Sequence, residues 1–207
     1  MNKRIAVFAS GTGSNFINIK HQIDKGEINA KIVLLISNNS KCGAVNFAIK
    51  NKIKYKVINS IRYPNEKNKN KEYKLVLKHY KTDLILLAGF MKKIPQNIIK
   101  NYKNRIMNVH PSLLPKYGGL GYYGIKVHNA VIKSKDQVSG ATIHFVNEEY
   151  DKGPIILQKK IQVKNCDDSI SLSKKVLKIE HEIYLEAVKA FSLNKIKIIN
   201  NKVIIDE

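Results

Sequence analysis

The segment Asp83 to Ala88 is apolar at every position after its first residue. A run of that kind does not alternate, so it has no polar face to turn to water. Short continuous runs mark strands covered on both sides, as in a parallel sheet. Ile5 to Phe8 and Lys31 to Ile36 read the same way, and Tyr55 to Ile58 forms a shorter strand. Helix-compatible stretches separate them: Ser14 to Lys25, Cys42 to Lys50 and Asn65 to Tyr80. In the last of these, Tyr73, Val76, Leu77 and Tyr80 supply the apolar stripe. Strand and helix in alternation predict an α/β fold: an open, mostly parallel, Rossmann-like sheet flanked by helices.

After Asn108 the pattern changes. A loop rich in Pro and Gly runs from Pro111 to Gly124, and a helix from Ile125 to Lys133. Gly140 to Val146 and Pro154 to Val163 predict antiparallel strands, joined by the loop Asn147 to Gly153. Ser169 to Phe191 predicts a long helix. Lys195 to Ile199 and Lys202 to Ile205 predict a final hairpin turning at Asn200-Asn201. The C-terminal portion is therefore expected to be antiparallel. No linker or repeat divides the chain, so residues 1–207 are expected to form a single domain.

Composition excludes several classes. Hydrophobic residues make up 43%, enough for a sizeable core. Each apolar run is far shorter than a membrane span needs. Met1 to Ile5 leads straight into a strand without the features of a signal peptide, so a cytoplasmic location is expected, with no membrane partner. Cys42 and Cys166 are far apart and read as reduced thiols. The formal charge of +21 invites a nucleic-acid reading, but only Arg4, Arg62 and Arg105 are arginines, so 37 − 3 = 34 of the basic residues are lysines. They are scattered along the chain. Bidentate recognition of phosphate or guanine favours arginine, so no specific nucleic-acid partner is expected.

Open α/β sheets bind ligands beyond the carboxyl ends of their strands. Three unusual segments fall at such ends: Ala9 to Asn15, Gly89 to Pro95 and Asn108 to Pro115. Their convergence on one site is the expectation. Ser10-Gly11-Thr12-Gly13-Ser14-Asn15 joins a strand to a helix, where backbone N–H groups suit a phosphate. It is neither the dinucleotide fingerprint, since position 16 is Phe, nor a Walker loop. A tight turn with Ser14 as helix N-cap explains it equally well.

If Met107 to Val109 extends a strand, Asn108 and His110 project from one face. An amide donor beside an imidazole can hold a developing oxyanion and move a proton. The plainer alternative is a structural histidine. Asp151, in a glycine-containing loop, is either a turn residue or the carboxylate that faces His110, raises its pKa and keeps the ring cationic longer.

These segments occur in a characteristic order: Ser10 to Asn15, Leu87-Ala88-Gly89-Phe90-Met91, Asn108-Val109-His110-Pro111-Ser112-Leu113-Leu114-Pro115, Ser139 to Val146, and Asp151-Lys152-Gly153-Pro154-Ile155-Ile156. In that order the chain resembles the folate-dependent formyltransferase family from Ile5 to about Phe191. Within the family it is similar to members that formylate the amine of 5'-phosphoribosylglycinamide in purine synthesis. The resemblance implies a one-carbon group transferase with 10-formyltetrahydrofolate as formyl donor and no metal. It assigns Asn108, His110 and Asp151 to catalysis: Asn108 and a protonated His110 would stabilise the oxyanion, with Asp151 tuning His110. It assigns Gly13, Ser14, Asn15 and Glu180 to the ribonucleotide. It assigns Met91, Lys92, Lys93 and Ile94, together with Asn108, to the folate.

Three positions depart from the family pattern. Lys92 stands where arginine is frequent, Leu185 where proline is frequent, and Glu66 near the place of a folate-contacting arginine, with Arg62 out of register. The loop Gly118 to Gly124 is longer than in many members. The tRNA-formylating members carry an additional C-terminal domain, for which no room is expected here. Small-molecule substrates are the expected partners, for a monomer or homodimer.

Overall fold

The protein was analysed as a computed structural model, which describes residues 2–206. Seven strands form one sheet in the order β3-β2-β1-β4-β5-β6-β7, and a second, two-stranded sheet pairs β8 with β9. Helices flank the large sheet in sequence. The fold is the expected mostly parallel α/β sheet with an antiparallel C-terminal portion. The chain divides into two compact units, Met1–Met107 and Asn108–Glu207.

The first unit holds β1 (Lys3–Phe8), α1 (Ser14–Asp24), β2 (Ala30–Ser37), α2 (Gly43–Lys50), β3 (Tyr55–Val57), α3 (Glu66–His79), β4 (Leu84–Leu87) and α4 (Gln96–Asn101). β1 pairs in parallel with both β2 and β4, and β2 with β3. Ile5, Ala6, Val7 and Phe8 are wholly buried, as are Leu84, Ile85 and Leu86. Continuous apolar runs thus become central strands, and each large side chain so buried contributes about 1.5–3 kcal/mol. Phe8 stacks on Tyr73 of α3 and meets Phe90 edge-on, at centroid distances of 5.7 and 5.3 Å. α3 starts where Asn65 accepts a hydrogen bond from the Asn68 amide, a side-chain N-cap.

Only α4 escapes the sequence reading. It is six residues long, and Pro95 at its N-cap offers no side-chain cap bond. A segment that short shows too little periodicity to register. The ends of the other elements shift by no more than about two residues from expectation.

β5 (Ile106–His110) carries the chain from the first unit into the second. The second unit continues with α5 (Ile125–Lys133), β6 (Val138–Phe145), β7 (Ile155–Gln162), α6 (Ser169–Ser192), β8 (Ile196–Ile199) and β9 (Lys202–Ile205). β6 and β7 are antiparallel, in register from Val138 opposite Gln162. Gly140 is required there: a Cβ would lie 2.1 Å from the Lys159 carbonyl oxygen. α6 opens with a reciprocal capping box between Asp168 and Ser171. It buries Leu172, Val176, Ile183, Tyr184, Ala187 and Val188.

Candidate active site

In the first unit, β1 ends in the loop Ser10 to Gly13. Gly13 adopts φ +78° and is itself the N-cap of α1, so Ser14 is the first helical residue and not the cap. Glycine is required twice over, because a Cβ would also lie 2.8 Å from the Ala44 Cβ. No side chain caps α1, and its first turn carries no acidic residue. Those amides have the polarity that suits an anion. Asn15 is buried and Ser14 half-buried.

The loop after β4 lies against this one. The Ser10 amide donates to the Gly89 carbonyl at 3.1 Å. The Ser10 hydroxyl accepts from the Met91 amide at 2.9 Å and donates to Asn38 Oδ1 at 2.5 Å. Two of the three segments singled out in the sequence therefore meet. Met91, Lys92 and Lys93 are exposed, while Ile94 is turned into the core.

In the second unit, Asn108 and His110 alternate along β5 and reach one cluster. Asn108 Nδ2 lies 3.1 Å from His144 Nε2 on β6. His110 is buried, and its Nε2 lies 2.7 Å from the Tyr117 carbonyl oxygen. A carbonyl only accepts, so Nε2 carries the hydrogen and Nδ1 is left toward Asp151, whose Oδ2 stands 3.6 Å away. His144 Nδ1 likewise donates to the Phe145 carbonyl at 2.9 Å. Its Nε2 accepts from Asn108 when the ring is neutral, and points at Asp151 Oδ1, 3.5 Å away, when the ring is protonated. The amide of Gly119 closes the cluster by donating to Asp151 Oδ2 at 2.8 Å.

Local chain geometry explains how these groups are held. Asp151 has φ +55°, a conformation short polar residues tolerate better than most. Two residues on, a Cβ on Gly153 would sit 1.7 Å from the Phe145 carbonyl oxygen, so the Asp151 loop presses its backbone directly on β6. The loop after His110 is pinned by Thr142, whose hydroxyl donates to the Ser112 carbonyl at 2.6 Å and accepts from the Leu114 amide at 3.1 Å. The Leu114–Pro115 peptide is cis.

Burial sets the protonation of the cluster. It pushes the His110 pKa below its ordinary value. The Asp151 carboxylate and the Tyr117 carbonyl pull the other way without prevailing, and His144 adds to the fall. The carboxylate acts in the direction expected of it, and desolvation is the larger effect. For Asp151 the balance reverses. Burial alone would raise its pKa, yet the hydrogen bond from His144, the charge of His110 and the Gly119 amide together hold it below the usual carboxylate range. The cluster at rest is an ionised carboxylate beside a neutral imidazole, with an amide at its edge. Such an arrangement can accept a proton at His110 Nδ1 and donate a hydrogen bond from Asn108.

The structure thus brings Asn108, His110 and Asp151 together. Glu180 lies half-buried in the middle of α6. His144 joins the cluster without having been singled out for a role. Its only signal was its place in the segment Ser139 to Val146. Tyr117 and Gly119 contribute through backbone atoms, which side-chain identity cannot announce. Among the described residues, no group of three His, Cys, Asp or Glu side chains is arranged to hold a metal ion.

A mostly parallel sheet flanked by helices, with Asn108, His110 and Asp151 gathered beside β5, defines an α/β protein with a polar cluster of enzyme type. Comparison with known proteins gives the family. The formyl transferase model matches residues 3–188, and the chain belongs to that family, in its phosphoribosylglycinamide formyltransferase branch. The chloroplastic phosphoribosylglycinamide formyltransferase of Arabidopsis thaliana is 44% identical over 196 residues, covering 94% of this chain and 67% of the relative. The phosphoribosylglycinamide formyltransferase of Haemophilus influenzae is 33% identical, covering 99% of this chain and 94% of the relative. Among solved structures, glycinamide ribonucleotide transformylase 1 from Symbiobacterium toebii superimposes with a TM-score of 0.92 at 30% identity, over 100% of this chain and 95% of that one. The chain spans 62% of the length of the Vigna unguiculata relative. Among the described residues no helix is long and apolar enough to cross a membrane.

Proposed function

We propose that this protein transfers the formyl group of 10-formyltetrahydrofolate to the amine of 5'-phosphoribosylglycinamide, a step of purine synthesis, and that residues 1–207 act as one formyltransferase domain. The observation that carries the reading is the cluster of Asn108, His110, His144 and Asp151, in which both histidines are buried. The names of the relatives support the substrate, and the span of the family match across both units supports the single domain.

The neutral amine attacks the formyl carbon, and negative charge develops on the formyl oxygen. Asn108 has two amide hydrogens. One engages His144, and the other donates to that oxyanion. The attacking nitrogen must lose a proton and the departing folate nitrogen must gain one. Neutral His110 takes the proton at Nδ1, where Asp151 stabilises the resulting imidazolium, and the proton then passes to the leaving nitrogen as the carbon–nitrogen bond breaks. Asp151 thus works by pairing with a charge that forms during the reaction. His144 Nε2, while the ring is neutral, accepts from Asn108 and holds its amide in place.

Gly13, Ser14 and Asn15 are proposed to receive the ribose phosphate at the N-terminus of α1, with Glu180 contacting the same substrate. Met91 to Ile94 are proposed to line the folate site through their backbone, since the Ile94 side chain belongs to the core. The test is to mix the protein with 10-formyltetrahydrofolate and follow release of tetrahydrofolate. Release should depend on 5'-phosphoribosylglycinamide. Equal release without it, or with methionyl-tRNA in its place, overturns the substrate.

A further inference from the structure

We propose that Tyr117 and Asp136 are positioning residues that set the tautomer of His110 from outside the cluster. The inference rests on the proposed formyl transfer for its kinetic consequence, but not for its structural one.

The turn 116–119 grips the cluster twice, and both grips are backbone atoms. The Tyr117 carbonyl accepts from His110 Nε2 at 2.7 Å, and the Gly119 amide donates to Asp151 Oδ2 at 2.8 Å. The direction of that carbonyl therefore decides which imidazole nitrogen carries the hydrogen, and so which one is free to take a proton beside Asp151. Tyr117 reaches this direction at φ +54°, a region a bulky residue rarely adopts. Something must hold it there.

The holder is at the other end of the side chain. The Tyr117 hydroxyl donates to Asp136 Oδ2 at 2.9 Å. Asp136 lies in the turn between α5 and β6 and is mostly shielded from solvent. The same carboxylate receives Lys116 Nζ at 2.8 Å. Tyr117 and Asp136 both line a cavity of about 370 Å³ that also touches Ser112, Val131 and Ser139, and the Lys116 ammonium lies over the Tyr117 ring, 5.2 Å from its centroid. The hydroxyl bond is the directional contact at the far end of the ring. Tyr122, whose ring centroid lies 5.8 Å away, gives a tilted contact from within the same loop. The extended loop Gly118 to Gly124 thereby acquires an anchor 19 residues further on.

The experiment compares Tyr117→Phe, Asp136→Ala and Asp136→Asn with the unaltered chain. Long-range nitrogen–proton NMR of the His110 ring reads the tautomer directly, and steady-state kinetics read kcat and KM. Tyr117→Phe and Asp136→Ala should convert a single Nε2–H tautomer into a mixture and lower kcat roughly 10- to 10²-fold with KM unchanged, the range that a small displacement of a reacting group produces. Asp136→Asn keeps an oxygen acceptor for the hydroxyl and should restore both readouts. If Tyr117→Phe does not fold, the Asp136 pair carries the test. A His110 tautomer unchanged in Asp136→Ala overturns the proposal. A tautomer that shifts in a protein without formyl transfer leaves the tether standing and sinks only the proposed reaction.

Discussion

Nδ1 of His110 and Oδ2 of Asp151 stand 3.6 Å apart, while the other nitrogen of the same ring is committed to the Tyr117 carbonyl. The spacing leaves the pair short of a full hydrogen bond at rest, and close enough for a strong charge interaction once the ring is protonated. Burial holds the His110 pKa down, and the Asp151 carboxylate is the largest of the influences that oppose it.

Asp151→Asn removes that charge at constant size. Turnover should fall on the order of 10²-fold or more, with little change in either KM, and the His110 titration should move further down. A steady-state assay with an NMR titration of the ring checks both. Unchanged turnover and titration would return Asp151 to the role of a turn residue.

Asn108→Ala takes away the amide proposed to donate to the developing oxyanion. A loss of ~10²–10³ in kcat is expected, with the substrates still bound. Binding of 10-formyltetrahydrofolate measured by fluorescence should stay the same. A variant that loses binding and keeps kcat would show that Asn108 serves affinity alone.

Asn15→Ala should raise KM for the ribonucleotide about tenfold and leave KM for folate alone, if its loop receives the phosphate. Gly13 is a poor probe of the same idea. Any side chain there meets Ala44 and a left-handed backbone, so Gly13→Val should unfold the loop whatever the loop binds. Equal changes in both KM values for Asn15→Ala would displace the phosphate site.

His128 on α5 is buried, and burial together with the nearby His110 charge pushes its pKa down to about 4. An unfolded histidine titrates near ~6.5. Between these values the unfolded chain binds the extra proton and the folded chain does not, so stability is complete above about 6.5 and declines as pH falls toward about 4. His110 adds to the same slope. Melting temperatures measured across that window should fall with pH, and His128→Leu should flatten the curve. An identical slope in the variant would assign the acid sensitivity elsewhere.

Gly153→Ala should destabilise the fold by about 3 kcal/mol, since the new methyl overlaps the Phe145 carbonyl and the strand must move. Denaturant titration gives the number. A loss below about 1 kcal/mol would mean that the Asp151 loop lifts off β6 easily, and activity would then report how much the Asp151 carboxylate depends on that contact.

Much of this was legible in the chain. Ile5 to Phe8 and Leu84 to Ala88 declared central parallel strands because a strand buried on both faces cannot carry polar residues. Asn108 and His110 declared a shared face by their spacing. What stayed hidden depends on distances that no local pattern encodes. His144 lies 36 residues from the Asn108 it touches, and within β6 it is one member of an alternating strand. The charge of His110 could not be read because the burial that controls it is supplied by the fold. α4 was too short to show a period.

Tyr117 holds a backbone angle that glycine would adopt freely. Directed evolution that rewards heat resistance alone should therefore drift toward glycine at 117, gaining robustness where the chain is strained. A campaign that rewards product formation should resist the same change. Position 117 would then separate the two kinds of selection within a single library.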